Sequence, residues 1–138
     1  MSSAMKRLIT ACGAVLALAS AAPSAHHSSA GIDRTKTVTL NGTVKEFRWA
    51  NPHSWIDLDV ANAKGVVETW SIEMTSPTFL VRSGWKSTTL KTGDKVSVIV
   101  QPMRDGTPGG LFVSVTLPDG KVLGERPPTA PPAAPPAE

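Results

Sequence analysis

The sequence is poor in the side chains that most often carry chemistry. It has one cysteine and three histidines in 138 residues, and no Gly-x-Ser-x-Gly nucleophile motif. The cysteine, Cys12, lies in an apolar run near the N-terminus. If that run is removed, the remaining chain has no thiol, which excludes a disulfide, a cysteine nucleophile and a thiolate metal site. We therefore expect a protein that is not an enzyme.

The carboxylates do not change that expectation. They lie at strand and turn positions, where we interpret them as solvated or turn-forming side chains. The sequence does not determine whether two of these carboxylates lie close together in space. The candidates are Asp57, Asp59, Glu73, Asp94 and Asp105.

The N-terminus has the pattern of a secretory signal peptide. Lys6 and Arg7 precede an apolar run over residues 8–19, and small residues follow as far as Ala25. The apolar run is too short to cross a bilayer as a helix. We predict that residues 1–25 are a signal peptide and that the processed protein is periplasmic or secreted, with no membrane span. A lipoprotein cleavage box ending at Cys12 is the alternative.

The cleavage site determines which chemistry the processed chain can offer. Cleavage after Ala25 makes His26 the first residue, whereas cleavage after Ala21 fits the Ala-x-Ala pattern better. A start at Ala25 or Ser24 makes a histidine the third residue, which is the spacing of amino-terminal copper or nickel chelation. The sequence leaves these sites open.

Charge gives no sign of a polyanionic partner. Loss of Lys6 and Arg7 lowers the basic residues from 14 to 12 against 11 acidic ones, so the net charge falls to +1. A chain so nearly balanced has no basic patch for nucleic acid or anionic lipid. We predict no nucleic-acid partner.

Residues 126–138 form a proline-rich tail. Proline lacks the backbone N–H and fixes φ, so this segment can make neither a helix nor a strand ladder. We predict a disordered, extended tail and one folded domain over residues 26–125, which is long enough to bury a modest core.

Apolar alternation with a period of two residues predicts strands through the domain. In the first strand the alternation changes parity near Lys45 and Glu46, which indicates a bulge. A helix fits residues 76–83, with Ser76 as N-cap, Pro77 in the first turn and Gly84 as its end. The predicted strands are residues 35–49, 54–60, 66–74, 96–101 and 111–117, with a short closing strand at 121–123.

The predicted burial pattern is equally specific. Phe79, Leu80 and Val81 form the buried side of the helix, and Trp85 pins the helix end to the sheet. Residues 104–110 form a mobile loop. The last long strand buries Leu111, Val113, Val115 and Leu117.

This order of elements predicts an all-β (mainly β) protein. Three strands, a helix and two more strands is the order of a small five-to-six-stranded OB-like Greek-key barrel with one short helix between strands 3 and 4. An open sheet covered by one helix is the alternative.

Several short motifs recur in this order in one known family. They are Ala25-His26-His27-Ser28, Asn51-Pro52-His53, Glu73-Met74-x-Ser76-Pro77, Gly84-Trp85, Gly93-Asp94 and Arg104-Asp105-Gly106. On these motifs the chain, over residues 25–123, resembles a family of small exported bacterial proteins catalogued only as a domain of unknown function. The resemblance implies a periplasmic β-barrel-like domain and no established activity.

The histidines are the candidate metal ligands. A mature chain that begins at His26 offers an α-amino group and an imidazole to one metal ion, and His53 or His27 supplies a second imidazole. Such a site resembles the histidine brace of exported copper proteins. Since copper(II) binds most tightly among the first-row divalent ions, we expect copper(II) before zinc or nickel.

The alternative function is a binding module that contains no metal. Trp49, Asn51 and Trp55 form the predicted ligand surface, for a small molecule or a periplasmic protein partner. We interpret most of the tryptophans as core residues, but the alternation places Trp55 on the other face of its strand from Ile56 and Leu58. The oligomeric state is left open.

Overall fold

A computed structural model describes residues 29–125. The predicted signal peptide, His26, His27 and the proline-rich tail lie outside the described residues. A 3₁₀ turn, Ser29–Gly31, opens the described part, which has six strands and one α-helix. The elements are β1 (Val38–Arg48), β2 (Trp55–Ala61), β3 (Val67–Glu73), α1 (Pro77–Arg82), β4 (Lys95–Pro102), β5 (Gly109–Thr116) and β6 (Val122–Gly124).

The sheet closes on itself. β1 pairs with both β2 and β4, β5 lies between β4 and β6, and the parallel pairing of β3 with β5 completes a five-stranded barrel. That seam joins Ser71 to Gly109, Ile72 to Gly110 and Glu73 to Leu111. This is the predicted OB-like barrel, with its helix between strands 3 and 4. The alternative of an open sheet is wrong.

β1 bends where the change of parity predicted a bulge. Its pairing with β2 shifts register between Val44 and Glu46, so Lys45 is the extra residue. Val44 before the bulge is buried, and Phe47 after it packs against the core. The bend allows one strand to pair with β4 along its first half and with β2 along its second.

The inner faces of the strands form one apolar core. Trp85 lies in it with 1% of its surface exposed, 5.4 Å edge-to-face from Phe112. Its Nε1 donates to the Gly124 carbonyl at 2.8 Å, which confirms that this tryptophan ties the end of the helix to the sheet. Ser54 is also fully buried, and its Oγ has no hydrogen-bond partner within residues 29–125.

The helix buries less than predicted. Leu80 is fully buried, but Phe79 and Val81 are 55% and 59% exposed, so the expectation for these two residues was wrong. A helix of six residues presents only one position to the barrel. Gly84 ends it with φ of 85°, a conformation that favours glycine. No helix within residues 29–125 is long and apolar enough to cross a membrane.

The start of β5 also differs from the prediction. β5 begins at Gly109, inside the segment predicted as a mobile loop. Its pairing with β4 shifts register at Val113, which opposes no residue, so Phe112 takes the inner position. Val113 is therefore 39% exposed, and Leu111 and Leu117 are only partly buried; of the four predicted core residues only Val115 is fully buried.

Candidate functional site

Strand pairing draws five side chains into a line on the outside of the barrel. Arg48 lies opposite Trp55, Trp55 opposite Glu73, Glu73 opposite Leu111, and Leu111 opposite Gln101. These five residues, here called the outer row, come from all five barrel strands. Because successive side chains of a strand point to opposite faces, the row backs directly onto buried core residues.

His53 and Glu73 form a pair beside the outer row. The Nδ1 atom of His53 contacts Oε1 of Glu73, and the two side chains are 50% and 16% exposed. A carboxylate accepts hydrogen bonds, so Nδ1–H is the donor, and in the neutral imidazole Nε2 then carries the lone pair. Nε2 has no hydrogen-bond partner within residues 29–125. An imidazole oriented by a carboxylate in this way is typical of metal-binding histidines.

Two cavities meet at Glu73. The larger has a volume of about 550 Å³, and its lining includes Arg34, His53, Gln101 and Leu111 as well as Glu73. The smaller has about 80 Å³ and is lined in part by Ile32, Trp55 and Ser71 together with the same glutamate. Glu73 thus links the histidine to the Trp55 end of the outer row.

The N-terminal segment is fastened next to these cavities. Ile32 forms a β-bridge with Met103. Arg104 donates from its backbone N to the Gly31 carbonyl at 2.8 Å and from Nε to the Ile32 carbonyl at 3.1 Å. Since Ile32 and Glu73 line the same small cavity, the chain passes close to the His53–Glu73 pair.

Arg34 brings a cation to the larger cavity. Its guanidinium has no hydrogen bond or ion pair within residues 29–125, although its carbonyl accepts from Nε2 of Gln101 at 3.4 Å. The neighbouring carboxylate, Asp33, is engaged elsewhere. The hydroxyl and the backbone N–H of Thr35 donate to it at 2.6 and 3.1 Å and lower the pKa of Asp33. Asp33 also pairs with Lys36 at 3.5 Å.

The outer face of β1, β2 and β3 carries a network of paired groups. Arg48 Nη2 lies 3.1 Å from Asp57 Oδ1, and Ser71 Oγ donates to the same oxygen at 2.7 Å. Thr69 Oγ1 donates to Asp59 at 2.7 Å. We call these five residues the paired network.

The structure separates the predicted ligand surface. Trp55 lies in the outer row, with the Arg48 guanidinium 5.5 Å from its ring centre. Trp49 packs against the core instead, 5.8 Å edge-to-face from Phe47, and Asn51 is exposed in the turn after β1. Trp49 and Trp55 therefore lie on opposite faces. Of the predicted metal ligands, His53 lies beside Glu73, whereas His26 and His27 are outside the described residues.

Sequence reasoning assigned no binding role to Glu73, Arg34 or Gln101. Side chains alternate along β3, so Glu73 lies outside when its neighbour Ile72 faces the core. The hairpin between β2 and β3 sets the register that pairs Glu73 with Trp55. Those two signals could have identified Glu73. Arg34 and Gln101 reach the site through long-range pairing, which leaves no local pattern. No group of three or more histidine, cysteine, aspartate or glutamate side chains within residues 29–125 could hold a metal ion.

A family described only as of unknown function, DUF6152, has a model that matches residues 14–113. This match confirms the resemblance predicted from the motifs. No curated protein matches the sequence.

Among solved structures, the crystal structure of the mitochondrial single-stranded DNA binding protein Rim1 from S. cerevisiae is similar, with a TM-score of 0.45 and 13% identity. The similarity covers 60% of this chain and 94% of that chain. The fold assignment rests on the strand pairing and the barrel closure described above.

Proposed function

We propose that this chain, which belongs to the family of unknown function DUF6152, is an exported, periplasmic β-barrel protein that binds copper(II). His26 at a processed N-terminus is the first ligand and His53 the second, with His27 as an alternative to His53. The observation that supports this best is the His53 imidazole, which Glu73 holds at Nδ1 while Nε2 stays open. The function is binding, and no step of catalysis is involved.

The chemistry of the ligands favours copper. A terminal His26 offers its α-amino nitrogen and its ring nitrogen to the same ion, and copper(II) prefers nitrogen ligands of this kind. The free α-amino group has a pKa of about 8, so copper binding near neutral pH displaces a proton. Glu73 acts as a positioning residue, because it orients the His53 ring.

The N-terminal histidines are attached close to this site. Ile32 lines the small cavity together with Glu73, which contacts His53. His26 and His27 precede the Ser29–Gly31 turn by three and two residues, and three extended residues span at most about 11 Å. The proposed site requires this short segment to carry its histidines to Nε2.

Copper titration of the processed full-length protein tests the proposal. Protein beginning at His26 is expected to bind one copper(II) ion with a Kd below about 1 μM, measured by competition with a chelator of known affinity. The His53→Gln variant is expected to bind at least about tenfold more weakly, with a changed copper EPR spectrum.

The matched control keeps all three histidines and blocks only the amino group. A His26-initiated chain acetylated at its α-amino group loses the amino-imidazole chelate but keeps every side chain. Equal affinity of this chain and the unacetylated His26-initiated chain would overturn the brace-like site. Equal affinity of His53→Gln and the parent would remove His53 from it.

Export has its own test. Expression of the full sequence with its leader is expected to yield a periplasmic protein, and intact mass gives its first residue. A first residue at Ala22 would place His26 within the chain and exclude the amino-group chelate. Recovery of the unprocessed chain from the cytoplasm would contradict the proposed location.

A second candidate, a small-ligand binding module, is favoured by the larger cavity. Its volume of about 550 Å³ lies within the usual range for small-molecule sites. Nucleic acid is a poor occupant, since Asp57, Asp59 and Glu73 all lie on the outer face and would repel phosphates. A protein partner on the Trp55 end of the outer row is the broader form of this candidate.

A further inference from the structure

We propose that the larger cavity binds a small zwitterion with an apolar side chain, namely a free amino acid or a short peptide. This inference rests on the second candidate function, the small-ligand module, and requires no metal. It follows from three features of the cavity: an unpaired cation, two carboxylates, and an apolar strip between them.

The cation is Arg34. Arg34 lines the cavity, and its guanidinium has no charged partner within residues 29–125, because Lys36 occupies the neighbouring Asp33. A guanidinium binds a carboxylate through two parallel N–H···O bonds, which a lysine cannot reproduce. Arg34 therefore supplies a site for the carboxylate of a ligand.

The carboxylates are Glu73 and Glu125. Glu73 is only 16% exposed, and His53 contacts one of its two oxygens. Glu125 accepts from the Thr75 backbone N–H at 2.6 Å. An anion without a positive group would face both carboxylates, and a cation without a negative group would face Arg34. A ligand that carries both charges complements the whole lining.

The pairing of the strands separates the two poles. Gln101, which donates to the Arg34 carbonyl, lies opposite Leu111, and Leu111 lies opposite Glu73. The Arg34 and Glu73 ends are thus about two strand spacings apart, or roughly 10 Å at the backbone. Leu111 and Phe112 line the cavity between them. A short peptide, whose charged ends are several ångströms apart, spans this gap directly, whereas a free amino acid, whose two charges share one carbon, requires the long Arg34 side chain to shorten it.

Titration with four probes tests the inference. Leucine and leucyl-leucine carry both charges, N-acetylleucine lacks the ammonium group, and isopentylamine lacks the carboxylate. With chelator-treated, processed full-length protein, we expect at least one zwitterion to bind about tenfold or more tightly than either singly charged probe. NMR shift changes are expected at Glu73, Gln101 and Leu111. The relative affinities of leucine and leucyl-leucine distinguish an amino-acid site from a peptide site.

Arg34→Gln removes the cation, and Lys64→Gln, at an exposed lysine in the loop between β2 and β3, is its control. We expect Arg34→Gln to weaken zwitterion binding about tenfold, and Lys64→Gln to leave it unchanged. Thermal melting of both variants shows whether each is folded. Copper affinity should be the same in the parent and in Arg34→Gln, so this test is independent of the proposed copper site.

Three results would overturn the inference. They are no binding of any probe, binding of N-acetylleucine or isopentylamine as tight as that of the better zwitterion, and equal loss of affinity in the Arg34 and Lys64 variants. Tight binding of N-acetylleucine alone would refute the zwitterion but preserve the small-ligand module. The two proposals can therefore fail separately.

Discussion

Two parts of the outer surface of the barrel differ in whether their polar and charged groups have partners. In the paired network, both aspartates accept hydrogen bonds from side chains of neighbouring strands. Beside the larger cavity, the Arg34 guanidinium and Nε2 of His53 have no partner within residues 29–125. The paired network lies on the strands, whereas Arg34 and His53 lie in loops beside the same sheet.

The comparison separates a structural role from a binding role. A charged group that is already paired contributes to stability and has little left to offer a ligand. An unpaired cation or an open imidazole nitrogen at a cavity contributes little to folding and much to recognition. Changes in the paired network should therefore alter stability alone, and changes beside the cavity should alter binding alone.

The largest expected effect comes from Gly110, which lies in the seam between β3 and β5 and packs closely against β4. In Gly110→Ala, the new Cβ would lie 2.3 Å from the Gln101 carbonyl oxygen, so the backbone of β5 would have to move. We expect a loss of about 3 kcal/mol in the free energy of unfolding, measured with urea. Gly106→Ala is the control, since its Cβ meets nothing within 4 Å and only its φ of 78° is strained, at a cost of about 1 kcal/mol. Equal losses would mean that close packing at the seam is unimportant.

A smaller effect is expected for Glu73→Gln beside the cavity. The amide oxygen still accepts from Nδ1 of His53, but a neutral acceptor holds the ring less firmly than a carboxylate does. We expect about tenfold weaker copper binding with an unchanged ligand set in the EPR spectrum. Glu68→Gln, near the other end of β3, is the matched control and should bind copper normally. An unchanged affinity in Glu73→Gln would show that Glu73 does not position His53.

Asp57→Asn should give the reverse pattern. It weakens two contacts of the paired network, with Arg48 and Ser71, in a side chain that is 18% exposed. We expect about 1 kcal/mol lower stability and no change in copper affinity. A double-mutant cycle with Ser71→Ala measures the coupling of the two side chains. A clear loss of copper affinity would contradict the division into two parts.

Ser54→Ala should have the smallest effect. The residue is fully buried between His53 and Trp55, and its Oγ has no partner within residues 29–125. Removing this hydroxyl should raise stability by about 0.5 kcal/mol, because a buried polar group without a partner is unfavourable. Chemical denaturation of the parent and the variant measures the difference. Destabilisation by more than about 1 kcal/mol would show that the hydroxyl has a partner.

Sequence reasoning succeeded where the pattern is local and failed where a neighbour from a distant strand decides. The alternation of Ile56 and Leu58 predicted the inner face of β2, and both residues are fully buried. The alternation of Val113 predicted burial too, but the register shift against β4 turned it outward. Such a shift depends on two strands together, so neither strand's sequence reveals it.

The candidate site follows the same rule. His53 was identified because a lone histidine after a proline turn is conspicuous in a sequence with few histidines. Trp55 was placed outside by its parity alone. Glu73 read as an ordinary solvated carboxylate, since its contact with His53 spans 20 residues of sequence. Arg34 carried no signal at all.

The sequence by itself determined the order of the strands, the single helix and the inner face of β2, because period and turn residues act over a few positions. Only the tertiary structure decided that β3 pairs with β5. That pairing places Glu73 between Trp55 and Leu111, next to His53 and within one cavity with Arg34. Closing a barrel joins residues far apart in the chain, and the site exists where it closes.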